Sequence, residues 1–293
     1  MRLHLVDGTY ELFRAHFSKR PDHKTPAGLP AKATLGVLSS LLALLQEAQE
    51  GVTHLGVAFD NPIRSFRNEL FKDYKSDEGV PEEISAQFDL VEEGVKALGI
   101  TVWSMKRWEA DDALATAAAR FRGEVTQVRI LTPDKDLGQC LRGTQVVQVD
   151  RRQEKEITEA SLRQDKGIGP ESIPDWLALV GDTADGIPGL PGFGEKSAAT
   201  LLGYYKKLEA IPRDYALWKV KIRSADKLGA TLAAHTAEAK LYRTLATLVE
   251  DVPLKESLAA LEWRGADKPR FLKFCEKLGT TSLRDRPSRW REG

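Results

Sequence analysis

Cysteine is scarce in this sequence. Cys140 and Cys275 are the only two among 293 residues, far apart and without the close spacing of a metal knuckle. A disulfide framework is therefore not expected, and a reducing compartment fits. Long apolar runs are lacking too. The start, Met1-Arg2-Leu3-His4-Leu5-Val6-Asp7, is without the longer apolar stretch of a signal peptide. The run at residues 35–45 is too short, and too interrupted by Ser39 and Ser40, to span a bilayer. A soluble, cytoplasmic protein with no membrane partner is expected. Net charge is also missing, since 43 Lys and Arg balance 43 Asp and Glu. Taken alone, that balance argues against nucleic acid as a partner. No internal repeat or low-complexity tract is present.

What remains is an ordinary globular composition, 42% hydrophobic and 29% charged, long enough for one large domain or a core with an appendage. Residues 2–7 read as a short buried strand ending in Asp7. Leu35, Leu38, Leu41, Leu42 and Leu45 form the apolar stripe of a helix over residues 30–49. Residues 52–59 return to a strand pattern and end in Asp60. A polar segment from Asn61 to Glu83 precedes a helix marked by Ile84, Phe88, Val91, Val95 and Leu98. A strand at 101–103, an alanine-rich helix from about Ala110 to Phe121, and strands at 125–131 and 146–149 follow. This alternation predicts an α/β domain over residues 1–155 with a mainly parallel sheet. Residues 156–293 read as helical, and the arginine-rich stretch 283–293 is expected to fray.

Acidic residues are concentrated at particular places. Asp7 and Asp60 end strands, and Asp134 and Asp136 follow one at once. In an open α/β sheet, ligands gather beyond the carboxyl ends of the strands. Glu109, Asp111 and Asp112 stand at the start of the alanine-rich helix, with Glu109 ahead of the helix proper, since one straight helix cannot place all three on one face. Asp182 and Asp185 lie in Gly181-Asp182-Thr183-Ala184-Asp185-Gly186, too rich in turn formers for a helix interior. Singly, each has a structural reading as a helix cap or a turn residue. Jointly, nine carboxylates in one cleft would repel one another unless cations neutralise them. Oxygen-only ligands favour magnesium or manganese, and none of the five histidines lies in these motifs, which lowers the case for zinc. With these nine set aside, 43 basic residues face 34 acidic ones. A neutralised acidic site in an otherwise basic chain is compatible with a phosphate backbone.

The motifs, in this order, resemble those of the 5′-to-3′ exonuclease domain of bacterial DNA polymerase I and of the flap endonucleases. The matching stretches are Leu5-Val6-Asp7-Gly8, Phe59-Asp60, Ser65-Phe66-Arg67, Tyr74-Lys75 and Glu109-Ala110-Asp111-Asp112-Ala113-Leu114-Ala115. They continue with Leu131-Thr132-Pro133-Asp134-Lys135-Asp136-Leu137, Gly181-Asp182-Thr183-Ala184-Asp185 and the run from Ile187 to Ala198. The resemblance spans roughly residues 2–250 and implies a PIN-like 5′ nuclease core, here in free-standing form. It implies a structure-specific 5′-3′ exonuclease and flap endonuclease that hydrolyses phosphodiester bonds near a DNA 5′ end or flap junction by a two-metal mechanism. Asp7, Asp60, Glu109, Asp111, Asp134 and Asp136 match catalytic-metal positions, and Asp112, Asp182 and Asp185 match further carboxylates of the cluster.

A cation aimed at the scissile phosphate would stabilise the transition state. Lys75 and Arg67 are the candidates, in a segment that corresponds in the family to a helical arch over about residues 61–100. Without the resemblance they read as surface cations of an amphipathic helix. The segment departs from the family in Ser76-Asp77-Glu78-Gly79, where relatives carry basic or amide residues; acids there weaken attraction for a threaded single strand. Pro133 and Gly138 are smaller departures that remove no ligand.

Residues 174–205 read as a helix–hairpin–helix. Gly189, Gly192 and Gly194 would let backbone N–H groups approach a phosphate, the next helix N-terminus favours its charge, and Lys196 adds a contact. In the family this hairpin also holds a monovalent cation, often potassium. The implied partner is DNA with a 5′ flap, a nick or a 5′-ended duplex, and a monomer is expected. The rival readings are a PIN-type ribonuclease and a non-catalytic DNA-structure-binding protein.

Overall fold

The computed structural model describes residues 1–291. In chain order it contains β1 (Arg2–Asp7), α1 (Gly8–His16), α2 (Lys32–Gln46), β2 (His54–Asp60), α3 (Arg67–Leu70) and α4 (Glu82–Ser85). Next come α5 (Phe88–Ala97), β3 (Thr101–Met105), α6 (Ala110–Phe121), β4 (Gln127–Leu131), β5 (Val146–Asp150) and β6 (Lys155–Ile157). The helices α7 (Glu159–Lys166), α8 (Ile173–Val180), α9 (Glu195–Tyr205), α10 (Ala225–Ala234), α11 (Thr236–Ala246) and α12 (Lys268–Leu278) complete it. The chain divides into two compact units. The first comprises 1–63, 77–132 and 250–293, and the second 64–76 and 133–249.

The first unit is built on four parallel strands in the order β3-β2-β1-β4. Strand β2 is buried along its whole length and β1 at all but Arg2, as expected of a parallel sheet covered by helices. Helix α6 packs across all four strands, while α1 with α2, α2 with α5, and α5 with α12 pack on one another. Because β2 lies on one side of β1 and β4 on the other, the strand order reverses at β1. The crevice of such a sheet opens there, beyond the carboxyl ends.

The second unit is largely helical, with β5 and β6 pairing antiparallel. Its core gathers Leu141, Ile173, Trp176, Leu177, Leu201, Leu202 and Leu245, joined by Tyr74. The chain thus adopts the expected α/β class, a mainly parallel sheet flanked by helices with a helical region after it. The last residues differ from expectation. Leu283 is buried, and Ala266 holds the tail by donating to the Arg289 carbonyl (3.0 Å) and accepting from the Arg291 N–H (2.8 Å). A backbone ladder, which no side-chain pattern announces, pins residues up to 291. Glu292 and Gly293, also expected to fray, lie outside the described residues. Among the described residues no helix is long and apolar enough to cross a membrane.

Candidate active site

In the first unit the acidic motifs are held by the strand ends and two helix starts. Asp7 closes β1 and caps α1, its Oδ1 accepting from the Tyr10 N–H (2.8 Å) and its Oδ2 from the Thr132 hydroxyl (3.0 Å). Thr132 follows β4, so this last bond spans the point where the strand order reverses. A side chain at Gly8 would stand 2.5 Å from the Phe59 ring and 2.7 Å from the Ala58 carbonyl, so only glycine lets β1 turn into α1 beside β2. Asp60 donates its N–H to the Thr9 hydroxyl (2.8 Å), and its Oδ1 accepts from the Ala110 N–H at the start of α6 (2.7 Å). Glu109 caps α6 from just outside it, as its spacing predicted, and its own N–H donates to Asp112 Oδ2 (3.0 Å). Asp112 is fully buried and Asp111 half-buried. The positive end of α6 favours all three acids. The first unit therefore brings Asp60, Glu109, Asp111 and Asp112 to one helix start.

The second unit supplies another acidic group. Asp134 is exposed and caps the 3-10 turn Lys135–Cys140, accepting from the Asp136 N–H (2.9 Å). Asp182 and Ile187 exchange both backbone hydrogen bonds (2.8 Å each), which closes the acidic loop. Carboxylate oxygens of Asp136, Asp182 and Asp185 lie within 4.8 Å of one another. Asp136 is only 5% exposed, and its Oδ1 is buried without a hydrogen-bond partner. Burial first, then the charges of Asp134, Asp185 and Asp182, push its carboxyl well above the usual range. A carboxyl oxygen that is buried and without a hydrogen-bond partner, facing two more carboxylates, fits an oxygen-liganded divalent cation. The donor set, three carboxylates with no histidine or thiolate, fits magnesium or manganese.

Lys75 meets this loop through its backbone. Its N–H donates to the Asp185 carbonyl (2.9 Å), and the Tyr74 hydroxyl donates to Asp185 Oδ2 (3.4 Å). The hairpin runs from α8 to α9. The Leu190 N–H returns to the Leu179 carbonyl (2.8 Å), and Gly194 precedes α9 with its N–H donating to the Ser197 hydroxyl (3.1 Å). Gly192, Gly194 and Lys196 are exposed.

The description "5′-3′ exonuclease, N-terminal resolvase-like domain" matches residues 2–167, and "5′-3′ exonuclease, C-terminal SAM fold" matches residues 168–269. The chain belongs to the 5′-3′ exonuclease family. Membership makes it an enzyme of the nuclease class. A curated relative is DNA polymerase I of Mycobacterium leprae (strain TN), 34% identical over 289 residues, covering 97% of this chain and 31% of the relative. The chain spans about a third of the length of the curated polymerases it matches. Among solved structures, the bacteriophage T5 D15 flap endonuclease, in complex with DNA and metal ions, aligns with a TM-score of 0.66 at 19% identity, covering 84% of this chain and 89% of that one. The catalytic core of Rad2 with DNA aligns with a TM-score of 0.62 at 14% identity, covering 95% and 88%. These likenesses carry the fold.

Within this family member two expected roles need correction. Arg67 is 1% exposed; its Nε donates to the Leu245 carbonyl (2.7 Å) and a terminal nitrogen to the Thr247 carbonyl (2.9 Å), while its guanidinium lies over Phe66 (4.7 Å). A buried guanidinium spent on the end of α11 is not aimed at a phosphate. Gly189 is buried with φ +72°, and a side chain there would stand 2.5 Å from backbone atoms of Val180 and Gly181. Its part is to let the hairpin close on α8.

Lys135, inside the motif Leu131-Thr132-Pro133-Asp134-Lys135-Asp136-Leu137, places its Nζ 2.8 Å from Asp182 Oδ2. Its place between two aspartates was the available signal. Thr9 and Thr132, which hold the acids, carried none.

Proposed function

We propose that this chain is a divalent-metal-dependent, structure-specific 5′ nuclease of DNA, hydrolysing phosphodiester bonds near a 5′ end or flap junction. The observation that carries this reading is the buried, unpaired Asp136 oxygen converging with Asp182 and Asp185, beside a segment bearing Lys75. A protein that only bound DNA would gain nothing from buried acid facing acid. Asp7, Asp60, Glu109, Asp111, Asp112, Asp134, Asp136, Asp182 and Asp185 are the residues we assign to the ions. Two or more Mg2+ or Mn2+ ions suit an all-oxygen set. Such ions supply neutralisation of phosphate charge and acidification of water.

The chain's own residues do the rest. Lys75 places its ammonium against the charge that develops on the transferring phosphate. The exposed hairpin glycines and the N-terminus of α9 position a duplex by its backbone without reading bases, with Lys196 beside them and K+ as the hairpin's cation. The working form is a cytoplasmic monomer, and the arch expected over about residues 61–100 is shortened at its far end, because α5 packs on α2 and α12 in the first unit.

A 5′-labelled flap duplex incubated with Mg2+ or with EDTA tests the reading, beside Asp136→Asn. Cleavage near the junction that needs Mg2+ and is lost in the variant is the expected result. Binding without cleavage in both Mg2+ and Mn2+ would leave a DNA-structure-binding protein instead.

A further inference from the structure

The segment that carries Lys75 is fastened at several points, and two of them lead to one side chain. Asn68 lies in α3, seven residues before Lys75. Its Oδ1 accepts from the Ser65 N–H (2.9 Å), and its Nδ2 donates to the carbonyls of Tyr74 (3.1 Å) and Lys75 (2.8 Å). The Lys75 N–H is taken by the Asp185 carbonyl (2.9 Å). Both backbone groups of Lys75 are thus held, one by the acidic loop and one by Asn68. The Tyr74 side chain is buried in the core of the second unit, which fixes the residue before. After Lys75 and Ser76 the chain passes into Asp77, Glu78 and Gly79, all exposed. Asn68 therefore holds a carbonyl two residues ahead of that exposed run.

The acidic loop is shaped for the same fit. Gly186 has φ +71°, and a side chain there would stand 2.2 Å from the Asp73 carbonyl, so the loop and the Lys75 segment touch backbone to backbone. A lysine ammonium sits on four rotatable carbons, so the precision of its position depends on the anchoring of its backbone. Displacing a group by about 1 Å can lower a rate on the order of 100-fold.

We infer that Asn68 is a positioning residue for Lys75: its amide hydrogens fix the Tyr74 and Lys75 carbonyls so that the ammonium keeps its place relative to the Asp185 loop. The inference rests on the role assigned to Lys75 above. It gives Asn68 no contact with substrate or metal. It also separates the two halves of the amide. The oxygen serves the Ser65 turn, whereas the two hydrogens serve the carbonyls of Tyr74 and Lys75.

The test is a double-mutant cycle on the full chain with Mg2+ and a labelled flap duplex. Single-turnover cleavage and DNA affinity are measured for the parent, N68A, K75A and the double variant, with N68D in parallel. N68D keeps the acceptor for Ser65 but loses both donors, so it stays informative if N68A folds poorly. The expected result is cleavage slowed about 10- to 100-fold in both N68A and N68D. DNA affinity stays at the parent value, and N68A adds no further loss in the K75A background. N68D cleaving as fast as the parent would overturn the inference, because then only the Ser65 turn matters. So would N68A slowing K75A by the same factor as it slows the parent, which is the mark of a general structural role. K75A cleaving at the parent rate would instead remove the role of Lys75 and the inference with it, an outcome read directly from that single variant.

Discussion

Replacing Arg67 with alanine tests the reassignment of that residue from chemistry to architecture. The guanidinium is 1% exposed and donates to Leu245 and Thr247, the last-turn and cap carbonyls of α11, with the Phe66 ring beneath it. Hydrogen bonds to a charged group contribute about 1.5–3 kcal/mol each, and buried carbonyls left without a donor add a desolvation penalty. A positive charge at a helix C-terminus adds up to about 2 kcal/mol when partly buried. These contributions overlap, since they share one group, and a loss of about 3–5 kcal/mol is expected. Urea unfolding followed by circular dichroism reads it as a lower midpoint at unchanged slope. Arg67→Lys should recover only part of the loss, because one ammonium cannot reproduce the planar fork that reaches both carbonyls. A loss below about 1 kcal/mol together with abolished cleavage would refute the reasoning, since that pairing belongs to a solvent-facing catalytic cation.

Two further outcomes follow from other charged groups. Lys135→Met removes the ammonium that faces Asp182 at 2.8 Å; metal-free protein should lose about 1 kcal/mol, a value kept small because Lys135 is part-exposed. Mn2+ should bind several-fold more tightly by calorimetry, because the ion no longer competes with the ammonium, and weaker binding would contradict this. At the other end of the sheet, the hydrogen bond from His4 and the charge of Arg129 hold the Glu50 carboxyl down at about 2, against the cost of burial. A depressed carboxylate stabilises fully above its ordinary value near 4.5, and that stability is lost as pH falls from there through about 2. Glu50→Gln should therefore show a shallower decline of stability across that window in acid titrations, and parallel declines would refute the assignment.

Much of this arrangement was legible from residue order because it rests on short-range rules. Asp7 and Asp60 stand at strand ends, and strands buried on both faces read as apolar runs with a sharp stop. Glu109 stands one residue outside α6 because Asp112 reaches back to its N–H, a local box within four residues. The loop holding Asp182 and Asp185 was visible in its glycines and aspartates. What stayed hidden depends on main-chain partners far along the chain. Arg67 looked like a surface cation in a polar segment, since the carbonyls of Leu245 and Thr247 have no sequence signature. Asn68 was silent for the same reason, as its hydrogens go to the carbonyls of Tyr74 and Lys75. The strand order that puts β4 beside β1, and so brings Thr132 to Asp7, also comes only with the fold.

The compact units do not follow the gene in two blocks. The family descriptions divide the chain once, between residues 167 and 168, whereas compactness assigns residues 64–76 to the same unit as 133–249 and residues 250–293 to the unit that begins at Met1. A recombinant fragment stopped at codon 167 would therefore retain the Arg67 guanidinium while discarding both carbonyls it serves, and would lack α12 from the layer packed against α5. Exchange of whole modules with a relative at that junction would split both compact bodies. Chimeras should instead transplant the short stretch 64–76 together with 133–249, as one inherited piece carried on two separated runs of codons.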